Sequence, residues 1–418
     1  MLSYRINVFI VKCFIYNPLF KLNMPHIKKL LSECQDHALH LLKENVTEDG
    51  LMAASLNEKS KHKSYHCIFG RDVAISALGM ALTDSSLIDA ACQGLETLAM
   101  HQAENGQIPK FVDSSNQQGD FWYIGCIDAT LWWLIAIDFM TKHAKIDLRA
   151  KFSKQIEKAI TWLHCQEHPK LYLVQQNEAS DWADIMPRSG FVLYSNALWY
   201  QVKKIYHLKH LQETHYHFNH LFHPFSRDLP EYKRLRLLMH YIKRDISNHE
   251  LYLSFVNFSY FGKEGDVFGN LLAIIFGLAS PATSKRILKY LKKVQIDQPI
   301  PVRATVEPIK KNDPLWRSYM GRHRQNLEYQ YHNSGIWPFI GGFWIIALAM
   351  SGFKTESSEA LERLATINKE QEWKFSEWFK GDTYEAKGMA GQSWNAAMFL
   401  LAFAYVKMDR KEQIKLFS

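Results

Sequence analysis

Disulfide and zinc chemistry have little to work with in this chain. Its six cysteines (Cys13, Cys34, Cys67, Cys92, Cys126 and Cys165) are scattered over 418 residues with no CxxC pair. Most fall inside apolar helical stretches, where a thiol packs as a small hydrophobe. Free buried thiols are expected, and with them a reducing, cytoplasmic setting. Long apolar runs are also missing. No stretch reaches the roughly 18 uninterrupted residues of a membrane span, and Lys12 breaks the hydrophobic N-terminal stretch, with no small-residue cleavage site after it. Residues 1–23 read as an extension, with Met24 an alternative start. Dense basic runs are absent too: the net charge of +8 is spread along the chain, which disfavours a nucleic-acid surface. The histidines of "ETHYHFNHLFHPF" (His215, His217, His220, His223) lack an acid or cysteine at ligand spacing. They read as a polar loop between helices, so no metal and no other cofactor is expected. Strand signals are confined to short pieces such as "KLYLVQQ" and "LYLSFVNF".

What remains is apolar and aromatic. Hydrophobic residues make up 47% of the chain and aromatics 13%, including 12 Trp and 19 Tyr. Flat faces with a polar tip suit both cores and sugar rings. Six strongly apolar segments begin near Arg71, Asp128, Leu193, Phe268, Gly341 and Ser393. Several carry apolar residues on nearly every face, which marks helices buried all round. Between them run amphipathic stretches such as "IKKLLSECQDHALHLLKE", "LIDAACQGLETLAMHQ" and "SKRILKYLKKV". Buried helix alternating with half-exposed helix, about six times, describes two concentric rings. The expected fold is all-α: an (α/α)6 barrel in one domain over residues 24–418. An aromatic outer surface would be compatible with a homo-oligomer.

The polar motifs share one address in that scheme, since they precede the buried helices and so meet at one end of the barrel. "FGRDVAIS" puts Arg71 and Asp72 before a helix, either as a cap with a surface arginine or as a pair that binds hydroxyls. "GDFWYIGCIDATLWW" sets Asp128 among Trp122, Tyr123, Trp132 and Trp133. "NEASDWADIMPRSGF" gathers Glu178, Asp181, Asp184 and Arg188 around Trp182. These acids are either a solvated loop or carboxyls whose proton affinity a neighbouring Trp raises. "YHNSGIWPFIGGFWIIALAM" crowds Tyr331, His332, Asn333 and Trp337 in front of a helix that must be buried. "FSEWFKGDTYEAKGMAGQSWNAA" adds Glu377, Asp382 and Glu385, then Gln392 and Trp394. Two carboxyls from distant parts of the chain are what inverting glycoside hydrolysis requires. One protonates the leaving oxygen, and the other activates water on the opposite face.

Taken together, "IFGRDVAISAL", "IDATLWW", "SDWADIMPRSGF", "GNLLAIIFGLA", "YHNSGIWP" and "SEWFKGD…GQSWNAA" resemble, in order, motifs of the neutral/alkaline invertases, glycoside hydrolase family one hundred. More distantly they resemble the amylo-1,6-glucosidase domain of glycogen debranching enzymes. The resemblance implies an inverting, metal-free hydrolase of an α-glucosidic bond in a small saccharide, with sucrose the first candidate. It puts the general acid in the "DWAD" segment: at Asp184, four residues before Arg188, with Asp181 the second choice. It makes Glu377 the general base and assigns substrate contacts to Arg71, Asp72, Asp128, His332, Trp337 and Gln392. Trp122, Trp182, Arg188, Tyr331, Asn333 and Trp394 join them as candidate binding residues. The "DWAD" segment lacks the paired arginines that follow it in the invertases. An α-1,6-glucosidase and a non-catalytic carbohydrate-binding barrel are the rival readings.

Overall fold

The computed structural model describes residues 24–56, 67–122, 125–225, 236–246, 249–257 and 259–418. The N-terminal extension, Cys13 and Tyr123 lie outside the described residues. Helices dominate, and the inner ones are α2 (Gly70–Met80), α4 (Ile127–His143), α6 (Leu193–Ile205), α8 (Val267–Ile275), α10 (Pro338–Met350) and α12 (Ser393–Lys407). Each packs on the next, and α12 packs back on α2, so the ring closes. Every residue of α2 and α8 is buried, as is nearly all of α10, in keeping with their lack of a polar face. The outer helices are α1 (Met24–Glu44), α3 (Ser85–Met100), α5 (Ser153–Gln166), α7 (Leu211–Leu221), α9 (Pro281–Lys293) and α11 (Lys354–Glu370). They bury one stripe each: α9, for instance, hides Ile287, Leu288 and Leu291 and exposes its lysines. This is the (α/α)6 barrel.

Two glycines let the inner ring close. A Cβ on Gly79 would lie 2.1 Å from the Ala397 carbonyl oxygen of α12, and one on Gly342 would lie 2.8 Å from that of Met398. The barrel axis is plugged by aromatic rings: Trp132 stacks on Phe268 at 6.3 Å, and Phe268 meets Phe343 at 4.9 Å. The plug stops short of one end, where the loops entering the inner helices gather.

Strands are two or three residues long. β1 (Ile68–Phe69), β2 (Phe111–Asp113) and β3 (Gln118–Asp120) form an antiparallel sheet with Phe69 opposite Phe111 and Phe111 opposite Asp120. β4 (Phe191–Val192) pairs with β5 (Phe255–Val256), and β6 (Trp378–Phe379) with β7 (Ala386–Lys387). The expected strand "LYLSFVNF" thus contributes only β5, and "KLYLVQQ" makes isolated bridges at Val174 and Gln176.

One expectation changes. The histidine-rich stretch is helix α7 through Leu221, not a loop, because Thr214, Phe218 and Leu221 recur at helical spacing and are buried. Of the described cysteines, Cys34, Cys67 and Cys126 are buried free thiols, Cys92 is half-buried and Cys165 is exposed. No described helix is long and apolar enough to cross a membrane.

Candidate active site

Where the loops converge, a cavity of about 320 Å³ opens at the end of the barrel, a size typical of the lower range for small-molecule sites. Its lining comes from five stretches of the chain. Phe69, Arg71 and Asp72 stand at the start of α2. Lys110 and Phe111 come from the sheet beside it. Trp182 and Asp184 sit on the loop before β4. Tyr331, His332 and Trp337 precede α10, while Glu377, Gln392 and Trp394 flank the β6–β7 hairpin. Of the fifteen residues singled out in the sequence, ten line this cavity: Asp184, Glu377, Arg71, Asp72, Trp182, Tyr331, His332, Trp337, Gln392 and Trp394.

The polar cluster ahead of α10 finds its reason here. Trp337 is the N-cap of α10 and Pro338 follows it in the first turn, where a missing N–H costs no helical bond. Ile336 pairs in both directions with Phe379, at 2.8 Å each way, which ties the cluster to the strand next to Glu377. Trp337 donates its indole N–H to the Tyr331 carbonyl at 2.9 Å, closing a tight turn. The aromatic wall is continuous: His332 stacks on Trp337 at 5.2 Å, and Trp182 meets both edge-on, at 4.8 and 5.5 Å. Such walls stack on the apolar faces of sugar rings.

The carboxylates differ in their surroundings. Asp184, a quarter exposed, receives the Lys110 ammonium at 3.0 Å. Burial pushes its proton affinity up, but Lys110, His332 and Arg71 together outweigh that and hold it below the usual aspartate range. Glu377 is buried, and its Oε2 accepts the Met389 backbone N–H at 2.8 Å. Gly388, at φ +76°, packs directly against that carboxylate: a Cβ there would lie 2.2 Å from Oε2. Burial raises Asp72 to about 6 despite the neighbouring Arg71. His332 is driven down to about 3, chiefly by burial, and is a neutral imidazole in the working range. Burial first, then the charges of Glu377 and Asp184, push the Tyr331 hydroxyl well above its ordinary value, which places it within reach of both acids' fields. Among the described residues, His332 Nδ1, Gln392 Nε2, Trp182 Nε1, Trp394 Nε1 and Arg71 Nε lack hydrogen-bond partners.

The other five residues stand behind or beside the wall. Asp128 does not cap α4, whose N-cap is Cys126. Its Oδ2 accepts Arg71 Nη1 and the Tyr194 hydroxyl, each at 3.0 Å, and Cys126 Sγ approaches Oδ1 at 3.1 Å. It is therefore the buried counter-ion that aims Arg71. Asp181 is also buried, accepting Gln176 Nε2 at 2.9 Å and the Ala183 N–H at 2.8 Å. Arg188 faces away from the cavity, toward Glu264 at 3.4 Å and Asp266 at 3.3 Å on the approach to α8. Asn333 spends its amide on the Ile309 backbone, accepting at 2.7 Å and donating at 2.9 Å. Trp122 flanks the cavity and offers its ring to the Lys110 ammonium at 3.8 Å. Of the remaining acids, Asp382 is exposed and Glu385 pairs with surface lysines. The sequence reading missed Phe69, Phe111 and Lys110 in the lining, and Gly388 behind Glu377.

Comparison with known proteins agrees with this architecture. A family model described as alkaline and neutral invertase matches residues 250–408, a span that contributes Tyr331, His332, Trp337, Glu377, Gln392 and Trp394 to the cavity. Among solved structures, a GH63 mannosylglycerate hydrolase from Thermus thermophilus in complex with glucose is 14% identical, with a TM-score of 0.61, covering 88% of this chain and 99% of that one. A rhamnosidase from Klebsiella oxytoca with rhamnose bound is 13% identical, with a TM-score of 0.56, covering 90% of this chain and 64% of that one. No curated protein matches the chain by sequence. At these identities the solved structures establish the fold, and the family model, which matches less than half of the chain, adds a likeness to the invertase-type glycoside hydrolases over the part that carries Glu377.

Proposed function

We propose that the protein hydrolyses an α-glucosidic bond of a small saccharide with inversion at the anomeric carbon, sucrose being the first substrate to test. The observation that carries this reading is the meeting of Asp184 and Glu377 in one aromatic-walled cavity of about 320 Å³. In the proposed reaction Asp184 donates its proton to the glycosidic oxygen as the bond to the anomeric carbon breaks. Glu377 takes a proton from the water that attacks the opposite face of the sugar. The backbone N–H of Met389 and the close packing of Gly388 hold Glu377 in one orientation. Neutral His332, the Gln392 amide and the Arg71–Asp72 pair are suited to binding hydroxyls, while Trp182, Trp337 and Trp394 exclude water and supply ring faces.

The test is sugar release from sucrose, trehalose, isomaltose, panose and limit dextrin by wild type, Asp184→Asn and Glu377→Gln. General acid–base groups contribute roughly 10²–10⁴-fold each, so both variants should lose at least about 100-fold while melting like the wild type. Near-normal turnover by either variant would remove that residue from the chemistry. A preference for panose and dextrin over sucrose would move the substrate to the α-1,6-glucosides.

A further inference from the structure

The cavity holds a cation that the proposed reaction has not used. Lys110 sits just ahead of β2 with its main chain fixed on both sides: its N–H donates to the Asp120 carbonyl at 2.7 Å, and its carbonyl accepts the Gly70 N–H at 2.8 Å. Its ammonium lies 3.0 Å from Asp184 Oδ2 and 3.8 Å from the centre of the Trp122 ring. An ammonium carries three donors on a flexible four-carbon stem, so the anchored backbone leaves the head free to exchange one contact for another. The other groups facing Asp184 are less able to move. Arg71 is held by Asp128 at 3.0 Å, and His332 is buried against Trp337 and Trp182. Asp72, Glu377 and Tyr331 complete the ionisable lining. A carboxylate pinned to a cation is a poor proton donor, yet Asp184 is the group placed to donate.

We propose that Lys110 is the positioning and specificity residue of the leaving-group side. Its ammonium pairs with Asp184 while the cavity holds no sugar. It passes to hydroxyls of the leaving group as the saccharide docks, with the Trp122 face as its second berth. This rests on Asp184 being the proton donor. Freed of the cation and covered by substrate, Asp184 takes one proton from solvent and delivers it to the glycosidic oxygen as the C–O bond breaks. Glu377 receives one proton from the attacking water and returns it to solvent, which closes the cycle. The site then favours leaving groups that carry hydroxyls over those that carry none.

The experiment compares wild type, Lys110→Met, Lys110→Arg and Asp184→Asn on sucrose and on α-D-glucosyl fluoride, whose leaving group needs no proton. An opposite charge at this range shifts a carboxyl by about 1–3 pH units. Lys110→Met should therefore move the alkaline limb of kcat/KM for sucrose upward by about one unit or more. It should also raise KM for sucrose about tenfold and leave fluoride hydrolysis within about threefold, the loss expected of one hydrogen-bonded contact. Lys110→Arg should restore the limb. Carbon-13 titration of the Asp184 carboxyl, identified by its absence in Asp184→Asn, reads the same coupling without turnover and should show a higher midpoint in Lys110→Met. An unmoved or lowered midpoint, or equal KM losses on both substrates, overturns the role of Lys110 alone. Full sucrose turnover by Asp184→Asn overturns the donor assignment, and the role of Lys110 with it.

Discussion

At the scale of single residues, the site is decided by contacts that a linear motif does not announce. Glu377 keeps its orientation because residue 388 has no side chain. In Gly388→Ala a Cβ would have to occupy space 2.2 Å from Glu377 Oε2, at a backbone φ of +76° that favours glycine. Misplacing a catalytic group by about 1 Å costs on the order of 10²-fold. Gly388→Ala should accordingly lose roughly that much kcat with little change in KM, measured by steady-state kinetics on the best sugar of the panel. A wild-type kcat would mean that Glu377 tolerates displacement and is not the base. Lys110 was illegible for a different reason: in "NGQIPKFVD" it reads as an ordinary residue at a turn. Its partner Asp184 is 74 residues away and becomes a neighbour only when the barrel closes.

At the scale of elements, the sequence carried more. The inner helices could be read because an apolar residue on every face leaves burial as the only solution. Their observed starts fall within three residues of those expected. Two of the five candidates that lie outside the cavity lining, Asp128 and Arg188, show why in physical terms. Asp128 stands at a helix start facing the cavity end, but Arg71 reaches back to it, so the carboxylate is engaged in holding Arg71. Arg188 turns toward Glu264 and Asp266, partners supplied by a segment nearly eighty residues downstream that local spacing cannot reveal. The ring itself depends on close helix contacts. Gly79→Val would press a branched side chain onto the Ala397 carbonyl 2.1 Å from its Cβ position. Overpacking of this kind costs about 1–3 kcal/mol or more. Chemical denaturation should register that loss, with KM of the folded fraction unchanged. An undiminished midpoint would show that α2 and α12 can part without penalty.

At the scale of the whole molecule, burying carboxyls around the site and beneath it ties stability to pH. Asp72 and Asp266 are both raised to about 6, burial being the first cause in each. A folded-state value above the unfolded one means that the native state holds the proton more tightly. The resulting stabilisation is complete below about pH 4 and is lost as pH rises through about 6. Replacing Asp72 by Asn removes one such contribution, on the order of 2–3 kcal/mol for a shift of about two units. Thermal melts should find Asp72→Asn more stable than wild type at pH 7.5 and close to it at pH 4. A constant difference across that range would mean that Asp72 is not raised.

Everything proposed for the site turns on one barrel-end cavity using two carboxyls to hydrolyse an α-glucosidic bond with inversion. Proton NMR of the first glucose released from sucrose, recorded before mutarotation equilibrates the anomers, decides this. The β-anomer should appear first, and no glucose should appear with Asp184→Asn or Glu377→Gln on the same timescale. Release of the α-anomer first would mean retention, and with it a covalent intermediate that this assignment of Asp184 and Glu377 does not contain.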